Sequence, residues 1–251
     1  DTSEAATTEG TPLGSLGSSF SRGVSLFHRR TWARKRSQAI RQRGGAEAYA
    51  LTVDDATVYF TDASSALTSS VTIRRAPKIG GAVTTLVDDA EQPTALAVDA
   101  TTLYYAELNA ARVMKVPKLG GTPVALATGL FASSIALDTT TVYFGACEGA
   151  CAMQSVMAVP KNGGQVVELL TKDTNAGDHA ITVGPDHLFW AGRLPPEGSS
   201  TGVLAMVPRS GGPATDLVTG PDMLAVAVEP DESAVYWVDF DTGEVGRTEL
   251  H

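Results

Sequence analysis

Pro117-Lys118-Leu119-Gly120-Gly121 is one of four copies of the same five-residue phrase. The others are Pro77-Lys78-Ile79-Gly80-Gly81, Pro160-Lys161-Asn162-Gly163-Gly164 and Pro208-Arg209-Ser210-Gly211-Gly212, at spacings of 40, 43 and 48 residues. Upstream of each stands a second phrase: an apolar run, an acid in all but one copy, a short turn and an aromatic pair. It reads Leu51-Thr52-Val53-Asp54 with Val58-Tyr59-Phe60, then Leu96-Ala97-Val98-Asp99 with Leu103-Tyr104-Tyr105. Ile135-Ala136-Leu137-Asp138 with Val142-Tyr143-Phe144 follows, then Ile181-Thr182-Val183-Gly184 with Leu188-Phe189-Trp190. A fifth copy, Val226-Ala227-Val228-Glu229 with Val235-Tyr236-Trp237, stands near the end of the chain. Self-similarity at a period of 40 to 48 residues marks a repeat architecture.

Each repeat opens with a short run of high β-propensity and a turn headed by Asp, whose carboxylate accepts backbone N–H groups two residues on. The aromatic triplet is a second strand, and so short a link between strands implies an antiparallel hairpin. A third strand is expected over 71–76, 112–116, 155–159 and 203–207. Pro ends it because Pro cannot donate to the ladder, and Gly-Gly supplies the positive φ of a tight turn. A fourth strand returns through 83–86, 124–126, 166–169 and around Leu217. Four antiparallel strands per repeat, arranged about a ring, predict an all-β fold: a β-propeller.

The repeats resemble the six-bladed propellers with YWTD and NHL repeats, and also bacterial secreted repeat proteins with a Pro-Lys-x-Gly-Gly turn. The resemblance covers residues 46–251 and implies a fold, with little about activity. Five repeats are visible, which leaves five blades and an incomplete six-bladed ring both open. The last repeat stops after its third strand, 244–250. The resemblance implies that an N-terminal strand closes the last blade, and repeat spacing would put it at 38–43, where only Ile40 is apolar.

Residues 1–45 lack the repeat pattern. Residues 1–21 are Ser-, Thr-, Gly- and Ala-rich and read as a disordered lead. Residues 22–43 carry eight basic residues and no acid. They read as a solvated tail, as non-native sequence from a misframed GC-rich gene, or as a basic arm. From residue 44 onward, 11 basic residues face 25 acids, a net charge of −14. That body repels nucleic acid and anionic membrane, since phosphate neutralisation requires clustered Lys and Arg. No apolar run approaches the length of a membrane span, so no membrane insertion is expected. The chain opens on Asp1 without a signal peptide. Removal of a targeting segment and a fragment of a larger protein are both compatible with this.

Several residue groups invite a functional reading. Asp54, Asp99, Asp138 and Glu229 are explained by turn chemistry. Cys147 and Cys151 are the only cysteines. With no His beside them they read as a short-range disulfide, not a zinc site, and imply an oxidising compartment: periplasm, cell surface or exterior. His179 precedes the first strand of the fourth repeat, and its register partners are Tyr49, Thr94 and Ser133. A His, a Tyr and two hydroxyls at a channel mouth form a candidate site for a small polar ligand or a protein. Asp239 to Glu244 resembles part of a calcium loop but lacks its third acid, and is expected to be a turn. The acids on the candidate binding face, among them Asp62, Glu107 and Asp222, are explained equally well by solvation and by weak binding of a divalent cation or cationic ligand. No nucleophile elbow or triad pattern occurs.

The expectation is therefore a monomeric, non-catalytic extracytoplasmic binding or scaffold propeller, with no metal or cofactor. The alternatives are an enzyme resembling streptogramin-type lyases or gluconolactonase-type hydrolases, and a sensor ectodomain.

Overall fold

A computed structural model describes residues 50–63, 70–147, 153–173, 180–194, 201–220 and 222–250. The tail, the expected closing strand at 38–43, Tyr49, Cys151 and His179 lie outside the described residues.

Every regular element among the described residues is a strand. Blade 1 comprises β1 (Leu51–Val53), β2 (Thr57–Asp62), β3 (Ser70–Pro77) and β4 (Thr84–Glu91). Blade 2 comprises β5 (Pro93–Val98), β6 (Thr102–Glu107), β7 (Arg112–Pro117) and β8 (Val124–Thr128). Blade 3 has β9 (Phe131–Leu137), β10 (Thr141–Cys147), β11 (Met153–Pro160) and β12 (Val167–Asp173). Blade 4 has β13 (Ala180–Val183), β14 (His187–Arg193), β15 (Gly202–Pro208) and β16 (Thr215–Gly220). Blade 5 has β17 (Met223–Val228), β18 (Ala234–Asp239) and β19 (Val245–Glu249). Four sheets are four-stranded and the last is three-stranded, each in sequential antiparallel order. This is the expected β-propeller of antiparallel blades.

The fourth strands run longer than their apolar pattern indicates. Each carries a β-bulge opposite the third strand, and the extra residue is the same leucine of the repeat: Leu86, Leu126, Leu169 or Leu217. A bulge sharpens local twist, and the blade turns at that leucine.

The core lies between blades. In β6, Tyr104 joins the cluster shared with blade 3, while Tyr105 joins the cluster shared with blade 1. Successive side chains of a strand point to opposite faces, so one central strand feeds two interfaces. Four clusters of this kind connect the five blades in series. The innermost strands pack in the same order, β1 on β5, β5 on β9, β9 on β13 and β13 on β17.

Among the described residues, no blade packs on the outer face of the first blade. Leu51 of β1 is 52% exposed, whereas its repeat partner Leu96 is 9% exposed beneath blade 1.

Candidate functional site

The turns between first and second strands form a repeated electrostatic seam. Asp54 Oδ1 accepts the backbone N–H groups of Ala56 at 2.9 Å and Thr57 at 2.7 Å, and Oδ2 accepts the Tyr59 hydroxyl at 3.1 Å. The same Oδ2 pairs with Lys118 from the Pro-Lys turn of the next blade. Asp99 repeats the arrangement with Thr101, Thr102, the Tyr104 hydroxyl at 3.0 Å, and Lys161 at 2.9 Å. Asp138 does so with Thr140, Thr141, Tyr143 and Arg209. The expected turn role of these acids holds, and each also ties its blade to the next one.

The electrostatics follow from that geometry. Burial alone would raise the Asp54 and Asp99 carboxyls. The hydrogen bond from the neighbouring lysine, two backbone N–H donors and the tyrosine hydroxyl outweigh it and bring both down to about 2. Burial and the adjacent Asp99 carboxylate push Tyr104 up to about 12, so it remains a donor. Asp138 is lowered in the same way against burial.

The two ends of the series depart from this pattern. Lys78 of the first Pro-Lys turn is exposed and forms no ion pair among the described residues. At the other end, Glu229 Oε1 accepts the Tyr236 hydroxyl at 3.1 Å, but the base is Arg247 of the same blade, donating to that hydroxyl at 3.1 Å.

The acids assigned to solvation on the opposite face behave differently. Asp62, Glu107 and Asp222 are buried and pair with Arg74 at 2.7 Å, Arg112 at 2.6 Å, and Arg193. Glu107 also accepts the backbone N–H of Glu91 at 3.0 Å. A carboxylate removed from water at a strand end requires a compensating cation, and the arginines supply it. The solvation reading is corrected for these three. Asp239, by contrast, heads an ordinary turn, accepting the N–H groups of Asp241 at 2.8 Å and Thr242 at 3.1 Å. Among the described residues no cluster of His, Cys, Asp or Glu could hold a metal ion, and no helix is long and apolar enough to cross a membrane.

Two of the four residues assigned to the channel mouth are described, and both occupy one structural position. In β5 the pairs Pro93–Glu107 and Ala95–Ala106 leave Thr94 as the extra residue of a bulge. In β9 the pairs Ala132–Ala146 and Ser134–Gly145 leave Ser133 as the extra residue. The bulge recurs at Leu224 of β17, so the position belongs to the repeat. Bulges re-aim side chains and are frequent beside functional sites. Thr94 donates its hydroxyl to the Ala132 carbonyl at 3.0 Å, linking blades 2 and 3. Ser133 Oγ is buried without a hydrogen-bond partner among the described residues. Cys147 is buried at the end of β10.

A concavity unforeseen from sequence lies on the face of the Pro-Lys turns. A cleft of about 470 Å³ opens between blades 2 and 3, lined by Lys115, Lys161, Asp99, Tyr104 and a rim of threonines. Val116, Pro117 and Val124 also line it.

No protein-family model matches the sequence, and no curated sequence is detectably similar to it. Solved structures are similar in fold. The nidogen/laminin complex contains a chain matching with a TM-score of 0.62 at 20% identity, over 81% of this chain and 76% of that one. A Mycobacterium tuberculosis puromycin-hydrolyzing peptidase matches with a TM-score of 0.63 at 16% identity, over 82% of this chain but 38% of its own. BamB from Moraxella catarrhalis matches with a TM-score of 0.54 at 15% identity, over 83% and 60%. Enzymes and non-enzymes share this architecture, and identities this low speak for the fold alone. With the repeat grammar and the blade topology, they show that the chain is a β-propeller repeat protein.

Proposed function

We propose that this propeller is a non-catalytic, extracytoplasmic binding or scaffold module that takes a small polar ligand where its innermost strands begin. The observation that carries the reading is the buried, unpartnered hydroxyl of Ser133 at a recurring bulge. Buried polar groups are almost always hydrogen-bonded, so an unsatisfied hydroxyl at the start of an innermost strand suits a ligand that supplies the missing partner. Tyr49 and His179 are the proposed companions of Thr94 and Ser133. The extracytoplasmic setting rests on the proposed Cys147–Cys151 disulfide, a bond that persists in oxidising compartments. The net charge of −14 over residues 44–251 supports a chain that binds neither nucleic acid nor anionic membrane and remains monomeric.

A thermal-shift screen of small polar compounds tests the reading. Ser133→Ala and His179→Ala should weaken the hits about tenfold, the scale of one lost hydrogen bond to a charged or buried group, while the unliganded melting temperature stays within a few degrees. Hits that ignore both substitutions defeat the proposal. Thiol labelling without reductant should find no reactive cysteine in protein matured outside the cytoplasm, and two labelled cysteines would remove the compartment argument.

A further inference from the structure

We propose that the cleft between blades 2 and 3 binds a monosaccharide-sized, hydroxyl-rich anion, carboxylated or phosphorylated. This site lies on the face opposite the channel mouth and is independent of the reading given for that mouth.

The repeat itself provides the control. Arg75 and Lys115 are equivalent residues, paired in register with Tyr59 and Tyr104. At the first seam Arg75 donates to the Lys118 carbonyl and, at 3.1 Å, to the Thr84 hydroxyl. Its guanidinium spans the groove. At the second seam the base is the shorter Lys115, and Val124 replaces the threonine as its partner on the fourth strand. Lys115 makes the corresponding bond to the Lys161 carbonyl at 2.7 Å. At the third seam Ala158 holds this position, and Arg209 reaches across to Asp138, Tyr143 and the Pro185 carbonyl. The second seam therefore has lysine at both basic positions and retains an opening of about 470 Å³. Small-ligand sites run from about 300 to 1,000 Å³.

The unspent groups set the ligand class. An ammonium has three donors, and the carbonyl of Lys161 takes one from Lys115, leaving two for the cleft. The only carboxylate in the lining, Asp99, is committed to Lys161 and the Tyr104 hydroxyl. Two lysines against one aspartate leave a local charge of +1 on a strongly acidic body. Thr139, the Asn162 amide and neighbouring threonine hydroxyls offer further donors and acceptors on the rim. An oxyanion satisfies Lys115, ring hydroxyls satisfy the rim, and Val124 and Pro117 provide apolar lining for a sugar ring. A neutral sugar leaves the ammonium uncompensated, and a cation is repelled by it.

Titration calorimetry with glucuronate, glucose 6-phosphate and glucose tests this on the full chain. At least one of the anions should bind, glucose at least about tenfold more weakly, with affinity falling as salt screens the ammonium. The two anions distinguish carboxylate from phosphate. Lys115→Met removes the donors. Lys115→Arg retains the charge and the bond to Lys161 while closing the cleft as Arg75 does, so folding is preserved by design. Both should reduce binding about tenfold or more, and Ser133→Ala should leave it unchanged. Failure of both anions to bind, equal binding of glucose, or full affinity in Lys115→Arg each overturns the proposal.

Discussion

Glu232 of the fifth blade supplies the carboxylate that Gly184 of the fourth blade lacks. A Cβ built on Gly184 would stand 2.2 Å from Glu232 Oε1, so the glutamate occupies the space of the missing side chain. Its Oε1 accepts the N–H groups of Asp186 at 2.7 Å and His187 at 2.8 Å, as Asp54 and Asp99 do within their own blades. Oε2 lies 2.8 Å from His187 Nδ1. Glu232 holds a φ of +55°, a left-handed value uncommon outside glycine, and this turn aims it across the seam. The repeat has exchanged an intrablade cap for an interblade one.

A double-mutant cycle isolates that exchange. Glu232→Ala should cost about 1–3 kcal/mol, because two backbone donors lose a charged acceptor. Gly184→Asp alone should also destabilise, since its side chain collides with Glu232. Combined, they restore an aspartate cap in an open space, and the pair should be less damaging than the sum of the singles. Chemical denaturation of the four proteins measures the coupling. Additive losses would show that Glu232 does not stand in for the absent aspartate.

Acid should loosen the seams within a defined window. Asp54 and Asp99 are held at about 2 against an ordinary 3.8. A folded value below the unfolded one gives stability that is fully present above the unfolded value and disappears as pH falls through the folded one. The melting temperature should therefore be flat from neutrality to about pH 5 and fall between about pH 4 and 2. Tyr104, raised to about 12 from 10.0, adds an alkaline loss that begins as pH rises past 10. Asp99→Asn should melt lower at neutral pH and decline less steeply in acid. An unchanged acid profile in that variant would remove Asp99 from the account.

What was legible in the sequence is what the backbone encodes locally. Asp54 announces its turn two residues ahead, and Gly80 and Gly81 take the φ values of +88° and +137° that their turn requires. The fold follows from such signals repeated along the chain. The Lys161–Asp99 and Arg209–Asp138 links join residues 62 and 71 positions apart, and no local pattern specifies them. The departure at Gly184 was visible, but its replacement, 48 residues later on another blade, was not. Asp62, Glu107 and Asp222 looked like surface acids because burial at a strand end depends on an arginine elsewhere in the fold. Counting back from the turn did bring Thr94 and Ser133 to one position, because the bulge falls at the same offset in both repeats. The cleft escaped notice because its lining is drawn from residues 99 to 162 on two blades, which no local pattern brings together.

Removal of residues 1–43 should leave cooperative unfolding intact. Among the described residues, each of the four apolar clusters ties one blade to the next. The seams do likewise through Asp54–Lys118, Asp99–Lys161 and Asp138–Arg209. The blade at risk is the fifth, whose sheet has three strands among the described residues where the others have four. If residues 38–43 supplied its fourth strand, truncation would expose β19 and uncouple blade 5, giving a second, earlier transition or a broad melt. A single transition within a few degrees of the full chain is the expected result. Circular dichroism and calorimetry on the two proteins read this directly, and a split or broadened transition would assign the closing strand to the N-terminal segment.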